Sequence, residues 1–173
     1  MIVKVDRPVR STEKNPRGEM RARVLIIEGR FYEDISDELA AGAVAALDAA
    51  GVGYDRVTVP GALEIPQVLT QAVASGLIPG RAAGGKWDGA VALGCVIRGE
   101  TSHYDIVCNN ANHWLMQVAI QHGVPVGNGI LTVDTEAQAL ARARGGIDGK
   151  GGDAARACLR LIELQRAFEG QSV

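Results

Sequence analysis

A chain of 173 residues, 47% hydrophobic but only 4% aromatic, suits one domain, or one domain plus an arm, with an aliphatic core and tight Ala and Gly helix contacts. The net charge of −2 gives no electrostatic footprint for nucleic acid, and no apolar run approaches the roughly 20 residues needed to span a bilayer. The three cysteines, Cys95, Cys108 and Cys158, are an odd set without C-x-x-C and fit reduced thiols; with no signal-peptide-like start, a cytoplasmic protein is expected.

Residues 1–23 stand apart as an N-terminal arm, leaving 24–173 as the domain proper. The arm carries seven basic residues against three acidic ones, and Pro8 and Pro16 break any helix through it. It reads either as a tail or, through the β-like start Ile2–Asp6, as a strand added to a sheet edge of this or another subunit. Val24-Leu25-Ile26-Ile27 is a continuous apolar run, as a strand covered on both faces requires. Asp34 is placed to cap a helix whose residues Ile35, Leu39, Ala43, Leu47 and Ala50 share a face, with Gly51 ending it. A second strand is expected over Tyr54–Val59, a turn at Pro60-Gly61, and a helix over Ala62–Ser75. A Gly-rich connection, Leu77–Lys86, leads to a third strand, Trp87–Ile97, and a long helix, His103–Gly123. Pro125–Val133 reads as a fourth strand and Thr135–Arg144 as a helix. A loop over Gly145–Gly152 and a last helix, Asp153–Phe168, complete the chain. Strict β/α alternation implies a three-layer α/β/α fold. In it a flavodoxin-like parallel sheet of about four strands carries helices on both faces.

Candidate site residues follow the carboxyl ends of these strands, so a doubly wound fold should gather them at one edge. After the first strand comes Arg30-Phe31-Tyr32, where Phe31 reads either as a platform for a flat heterocycle or as a lid on the first helix. After the second comes Pro60-Gly61-Ala62-Leu63-Glu64, where Glu64 is either a site carboxylate or a partner of the helix dipole. After the third comes Arg98-Gly99-Glu100-Thr101-Ser102-His103, within the most informative stretch of the chain, Gly94–Asp105. It pairs a hydroxyl and an imidazole with a helix amino terminus. That arrangement suits an anion site beside a general acid/base, or a helix cap with a surface histidine. The fourth candidate is the region after Thr132.

Several chemistries are disfavoured. Gly149-Lys150 is followed by Gly151 where a phosphate-binding P-loop needs Ser or Thr, and no G-x-G-x-x-G follows the first strand. His103, His113 and His122 lack ligand spacing, so no metal is expected. No G-x-S-x-G elbow is present.

Taken together the clusters resemble the 6,7-dimethyl-8-ribityllumazine synthase family. The matching motifs run in family order over roughly Arg23–Phe168. They are Gly29-Arg30-Phe31, Val59 to Pro66, Gly94 to Asp105, Gly129-Ile130-Leu131-Thr132, Gln138-Ala139 with Arg142, and Lys150-Gly151. The resemblance implies a transferase of riboflavin biosynthesis, functionally upstream of riboflavin synthase. It would condense 5-amino-6-ribitylaminouracil with 3,4-dihydroxy-2-butanone 4-phosphate, releasing phosphate, with no metal or organic cofactor. Phe31 would face the pyrimidine, with Ala62 and Leu63 beside it and Glu64 on the ribityl chain. The backbone at Val96 and Ile97 would meet the heterocycle's polar edge. Glu100, Thr101 and Arg142 would hold the phosphate, and His103 would move protons. The family site lies between subunits of a homopentamer, with Arg142 and Lys150 from the neighbour. In some members twelve pentamers close into a capsid. No nucleic-acid or membrane partner is implied. Two positions depart from the family's pattern: Asn128, on the neighbour's side of the pocket, replaces a frequent aromatic residue, and Tyr32 replaces a frequent Asn. Two rival readings remain: a non-catalytic flavin or lumazine carrier, which would not need His103, Arg142 and Lys150 together, and a shell protein.

Overall fold

The computed structural model describes residues 20–78 and 84–170. The arm's expected strand start, Ile2–Asp6, and part of the Gly-rich connection lie outside the described residues. Four strands and five α-helices alternate among the described residues: β1 (Arg23–Gly29), α1 (Glu33–Ala49), β2 (Gly53–Val59), α2 (Ile65–Ala74), β3 (Gly89–Ile97), α3 (His103–His122), β4 (Val126–Val133), α4 (Glu136–Ala143) and α5 (Lys150–Phe168). The sheet is parallel throughout, in the order β2-β1-β3-β4. This is the doubly wound arrangement expected. The chain passes outward from β1 to β2, then crosses back to β3, so the carboxyl ends of β1 and β3 form the switch point where such sheets bind ligands.

The apolar run of β1 divides by period two. Val24 and Ile26 face one layer, α1, α4 and α5, together with Val91, Leu93, Leu131 and Val133. Leu25 and Ile27 face the other, α2 and α3, together with Ala90, Ala92, Val126 and Ile130. Each fully buried Val, Leu or Ile contributes roughly 1.5–3 kcal/mol. A one-residue slip of β1 would exchange its two faces, so the register that places Gly29 opposite Val59 is strongly specified.

Several element ends shift by one residue, β1 beginning at Arg23 among them, and four boundaries differ from the sequence reading for a physical reason. Tyr32, not Asp34, occupies the N-cap position of α1, and it makes no side-chain cap bond; Asp34 sits inside the first turn, where its charge favours the helix dipole. A 3₁₀ turn, Ala62–Glu64, precedes α2, so the α-helix begins only at Ile65, with Pro66 accommodated at its start. β3 begins at Gly89 because Trp87 and Asp88 are engaged elsewhere. The Trp87 indole N–H donates to Asp55 at 2.7 Å, and Asp88 accepts from the Arg23 amide at 2.9 Å. α5 begins at Lys150, three residues before the expected Asp153. Gly151 and Gly152 form its first turn because side chains there would collide with the carbonyls of Leu39 and Ile147. Close packing of α5 on α1 overrides the low helix propensity of glycine.

Candidate active site

Three loops meet at the switch point and enclose a cleft of about 410 Å³. Its walls come from Phe31 and Tyr32 after β1, Pro60 to Glu64 after β2, and Cys95 to Ile97 at the end of β3. The turn into α3 adds Gly99, Thr101, His103, Tyr104 and Val107. Gly29 lets two of these loops touch, since a Cβ there would lie 2.9 Å from the carbonyl of Gly61. The Gly61 turn is closed by Glu64, whose Oε2 accepts from the Gly61 amide at 2.9 Å. Glu64 therefore has the local structural role that its place at a helix start allows, and it also stands in the cleft wall.

Phe31 is 72% exposed and meets Tyr32 edge to face, with ring centroids 4.9 Å apart. A large apolar ring left open beside a cleft is a surface on which a flat ligand can stack. At the opposite side, the Thr101 hydroxyl accepts from the His103 amide at 3.3 Å, whereas Ser102, at the N-cap position of α3, makes no side-chain cap bond. Thr101 thus takes the capping role, and the loop still presents the positive end of the α3 dipole to the cleft. His103 is exposed. Glu100 is exposed in the same loop but is not part of the cleft wall.

The electrostatics of the wall favour neutral groups. Burial pushes the Cys95 thiol up to about 11, which leaves it protonated near neutral pH and unsuited to nucleophilic attack. Burial likewise raises the phenols of Tyr32 and Tyr104, so both remain hydrogen-bonding neutral groups. Arg98 fixes the loop from outside. Its guanidinium lies 4.2 Å from the centre of the Tyr104 ring and 3.7 Å from Asp105, and its Nε donates to Asp134 at 3.0 Å.

A second cleft, about 430 Å³, opens beyond β4. Ile130 to Thr132, Ala141, Arg142, Arg144 and Asp148 to Lys150 line it, with Asp153. Arg142 is held by a bond from its Nη1 to the Gln138 carbonyl, at 3.1 Å. Gln138 is in turn fixed at both ends: its side-chain oxygen accepts from the Asp134 amide, and its own amide donates to the Thr135 hydroxyl. Lys150 opens α5. Within one chain, then, Phe31, Ala62, Leu63, Glu64, Val96, Ile97, Thr101 and His103 come together, while Arg142 and Lys150 share a separate cleft. Asn128 lines neither. It points to the α3 side, donating to Asn112 Oδ1 at 2.7 Å and accepting from the Ile130 amide at 2.9 Å. Sequence reasoning did not single out Tyr104 and Val107 as wall residues. Their signal was weak: Val107 lies four residues beyond His103 on one helix face, and Tyr104 lies three before Val107.

Comparisons with known proteins point to one family. The family model for 6,7-dimethyl-8-ribityllumazine synthase matches residues 21–166. The chain is 54% identical over 145 residues to the 6,7-dimethyl-8-ribityllumazine synthase of Nitrobacter hamburgensis, covering 84% of this chain and 86% of that one. It is 55% identical over 145 residues to the enzyme of the same name from Methylorubrum populi, covering 84% and 83%. It is 53% identical over 145 residues to 6,7-dimethyl-8-ribityllumazine synthase 1 of Rhodopseudomonas palustris, covering 84% and 86%.

Proposed function

Because the chain belongs to the 6,7-dimethyl-8-ribityllumazine synthase family, we propose that the cleft at the β1/β3 switch point is where it performs that family's condensation. The protein is a transferase of riboflavin biosynthesis that joins 5-amino-6-ribitylaminouracil to 3,4-dihydroxy-2-butanone 4-phosphate. The observation that carries the assignment of the site is the convergence of an exposed Phe31, Glu64 and His103 in one cleft at that switch point.

Each group has a task that its chemistry suits. The pyrimidine stacks on Phe31 between Ala62, Leu63 and the backbone of Val96 and Ile97. Glu64 accepts from the ribityl hydroxyls. The aromatic amine attacks the butanone carbonyl, and loss of water gives an imine. Elimination then expels inorganic phosphate, and ring closure with loss of a second water gives the lumazine. The amine proton, the departing hydroxyls and the carbon acid all need a group that gives and takes protons near neutrality. Imidazole is the side chain whose ordinary range lies there, and His103 fills that role. The phosphate sits at the α3 amino terminus beside Thr101 and Glu100, where helix-end amides favour an anion. No step calls for a metal or an organic cofactor.

The site is completed by a second copy of the chain in a five-fold ring. Arg142 and Lys150, which line a different cleft from His103 in their own chain, supply positive charge to the phosphate of the adjacent one. Head-to-tail contacts of this kind close into rings. Three buried, unpaired cysteines support a reducing, cytoplasmic setting, and among the described residues no helix is long and apolar enough to cross a membrane.

Mixing the two substrates with the protein tests the reading. Lumazine absorbance should rise together with released phosphate. Phosphate release without lumazine, or neither product, would contradict it.

A further inference from the structure

Phe31 has little packing of its own. It is 72% exposed and its recorded ring contact is with its neighbour Tyr32, so its place must be set by the backbone on either side. That backbone is held by Arg30. The Arg30 amide donates to the Val59 carbonyl at 3.0 Å, tying the turn to the end of β2. Its guanidinium donates to Glu28 at 2.9 Å, to Glu33 at 2.6 and 3.0 Å, and to Asp37 at 2.5 Å. Glu28 belongs to β1, whereas Glu33 and Asp37 belong to the first turns of α1. One side chain therefore bridges the strand before Phe31 and the helix after it.

The anchor beneath is buried. Glu28 is 1% exposed, and Arg56 of β2 donates to both its oxygens, to Oε2 at 2.8 Å and to Oε1, shared with Arg30, at 3.0 Å. A buried ion pair contributes little net stability compared with apolar packing of the same volume. Burying the Glu28 carboxylate against Arg30 and Arg56 is therefore a costly way merely to hold a fold. It is an efficient way to fix a geometry, because the five donors of a guanidinium lie in a rigid plane and an ammonium's do not.

We propose that Arg30, braced by Glu28, Glu33 and Asp37, is a positioning residue that sets the angle of the Phe31 ring toward the flat heterocycle. This rests on the function proposed above, and it assigns to the clamp the recognition of the pyrimidine rather than of the phosphorylated substrate.

The chain holds two phenylalanines, Phe31 and Phe168, so labelling with 4-fluorophenylalanine gives two fluorine signals, and Phe168→Leu assigns them. The double variant Glu33→Gln/Asp37→Asn alters only the exposed arms of the clamp, and Arg30→Lys removes its planar fork. Each should shift or broaden the Phe31 signal. Each should raise KM for the pyrimidine about threefold, no more than loss of the Phe31 stack itself would cost, while KM for the butanone phosphate stays unchanged. If Arg30→Lys fails to fold, the double variant carries the test alone. An unchanged Phe31 signal overturns the clamp, and so does an equal rise in both KM values. A wild-type protein that makes no lumazine would instead overturn the function. The fluorine signal would then still decide the clamp, since it needs no substrate.

Discussion

The cleft around Phe31 and the cleft around Arg142 are nearly equal in size, about 410 and 430 Å³, yet opposite in chemistry. The first is walled mostly by apolar and uncharged side chains at the switch point of the sheet, with Glu64 among them. The second is highly charged, with Arg142, Arg144 and Lys150 outnumbering Asp148 and Asp153 beyond the edge strand β4. A substrate pair consisting of a flat heterocycle and a phosphate ester needs both. One surface must exclude water from a ring, and one must hold an anion whose charge grows as phosphate leaves. In a single chain Phe31 and His103 line the first cleft, whereas Arg142 and Lys150 line the second. The difference between the clefts is therefore a physical reason for the shared site proposed above.

Substitutions sharpen this comparison in order of expected size. Arg142→Ala removes a charged donor from the departing phosphate and should lower kcat/KM by about 100-fold or more. Arg142→Lys should restore part of that loss, weakening the phosphorylated substrate more than the pyrimidine, because an ammonium lacks the bidentate fork. Steady-state kinetics with each substrate varied in turn measures both. His103→Ala should lower kcat by about 10- to 100-fold with little change in unfolding temperature, since the residue is exposed at a helix start. Full turnover in that variant would remove His103 from the mechanism. Phe31→Leu should raise KM for the pyrimidine by about 3- to 10-fold, the worth of an aromatic stack, and leave the other substrate alone.

The smallest effect lies at the opposite edge of the sheet and serves as a contrast to both clefts. There the Arg23 guanidinium, followed by the Trp87 indole, holds the Asp55 carboxyl well below the usual carboxylate range. Such a group stabilises the fold above the ordinary carboxylate value of about 3.9, and the contribution is lost as pH falls through the depressed folded value. Asp55→Asn should therefore lower stability by about 1 kcal/mol, a few degrees in Tm, with the deficit constant from pH 7 to 5. The deficit should shrink only below about pH 4. Both KM values should be unchanged.

Much of this was legible in the sequence. β1 announced itself as a continuous apolar run, and Gly123, with φ of 62°, ends α3 in the left-handed conformation that such a position favours. The three loops of the first cleft were legible because a doubly wound fold places every strand's carboxyl end on one edge. What was not legible depends on distant contacts. Gly149 to Gly152 read as a loop, because nothing local reveals that α1 presses on the first turn of α5. The partnership of Asn128 with Asn112 could not be read either, since it joins β4 to α3 across 16 residues. Nor could the clamp on Arg30. Glu28 sits in an apolar strand and looks misplaced until Arg56, on the neighbouring strand, is brought beside it.

The central claim is that the two clefts work together only across a boundary between copies of the chain. Subunit mixing tests it most directly. His103→Ala and Arg142→Ala chains, each expected at about a tenth of wild-type activity or less alone, are unfolded together in equal amounts, refolded and assayed. If each site takes His103 from one chain and Arg142 from the next, about one quarter of the sites receive both, and about a quarter of wild-type activity returns. If both residues serve the same chain's site, no site is whole, and activity stays at the level of the separate variants.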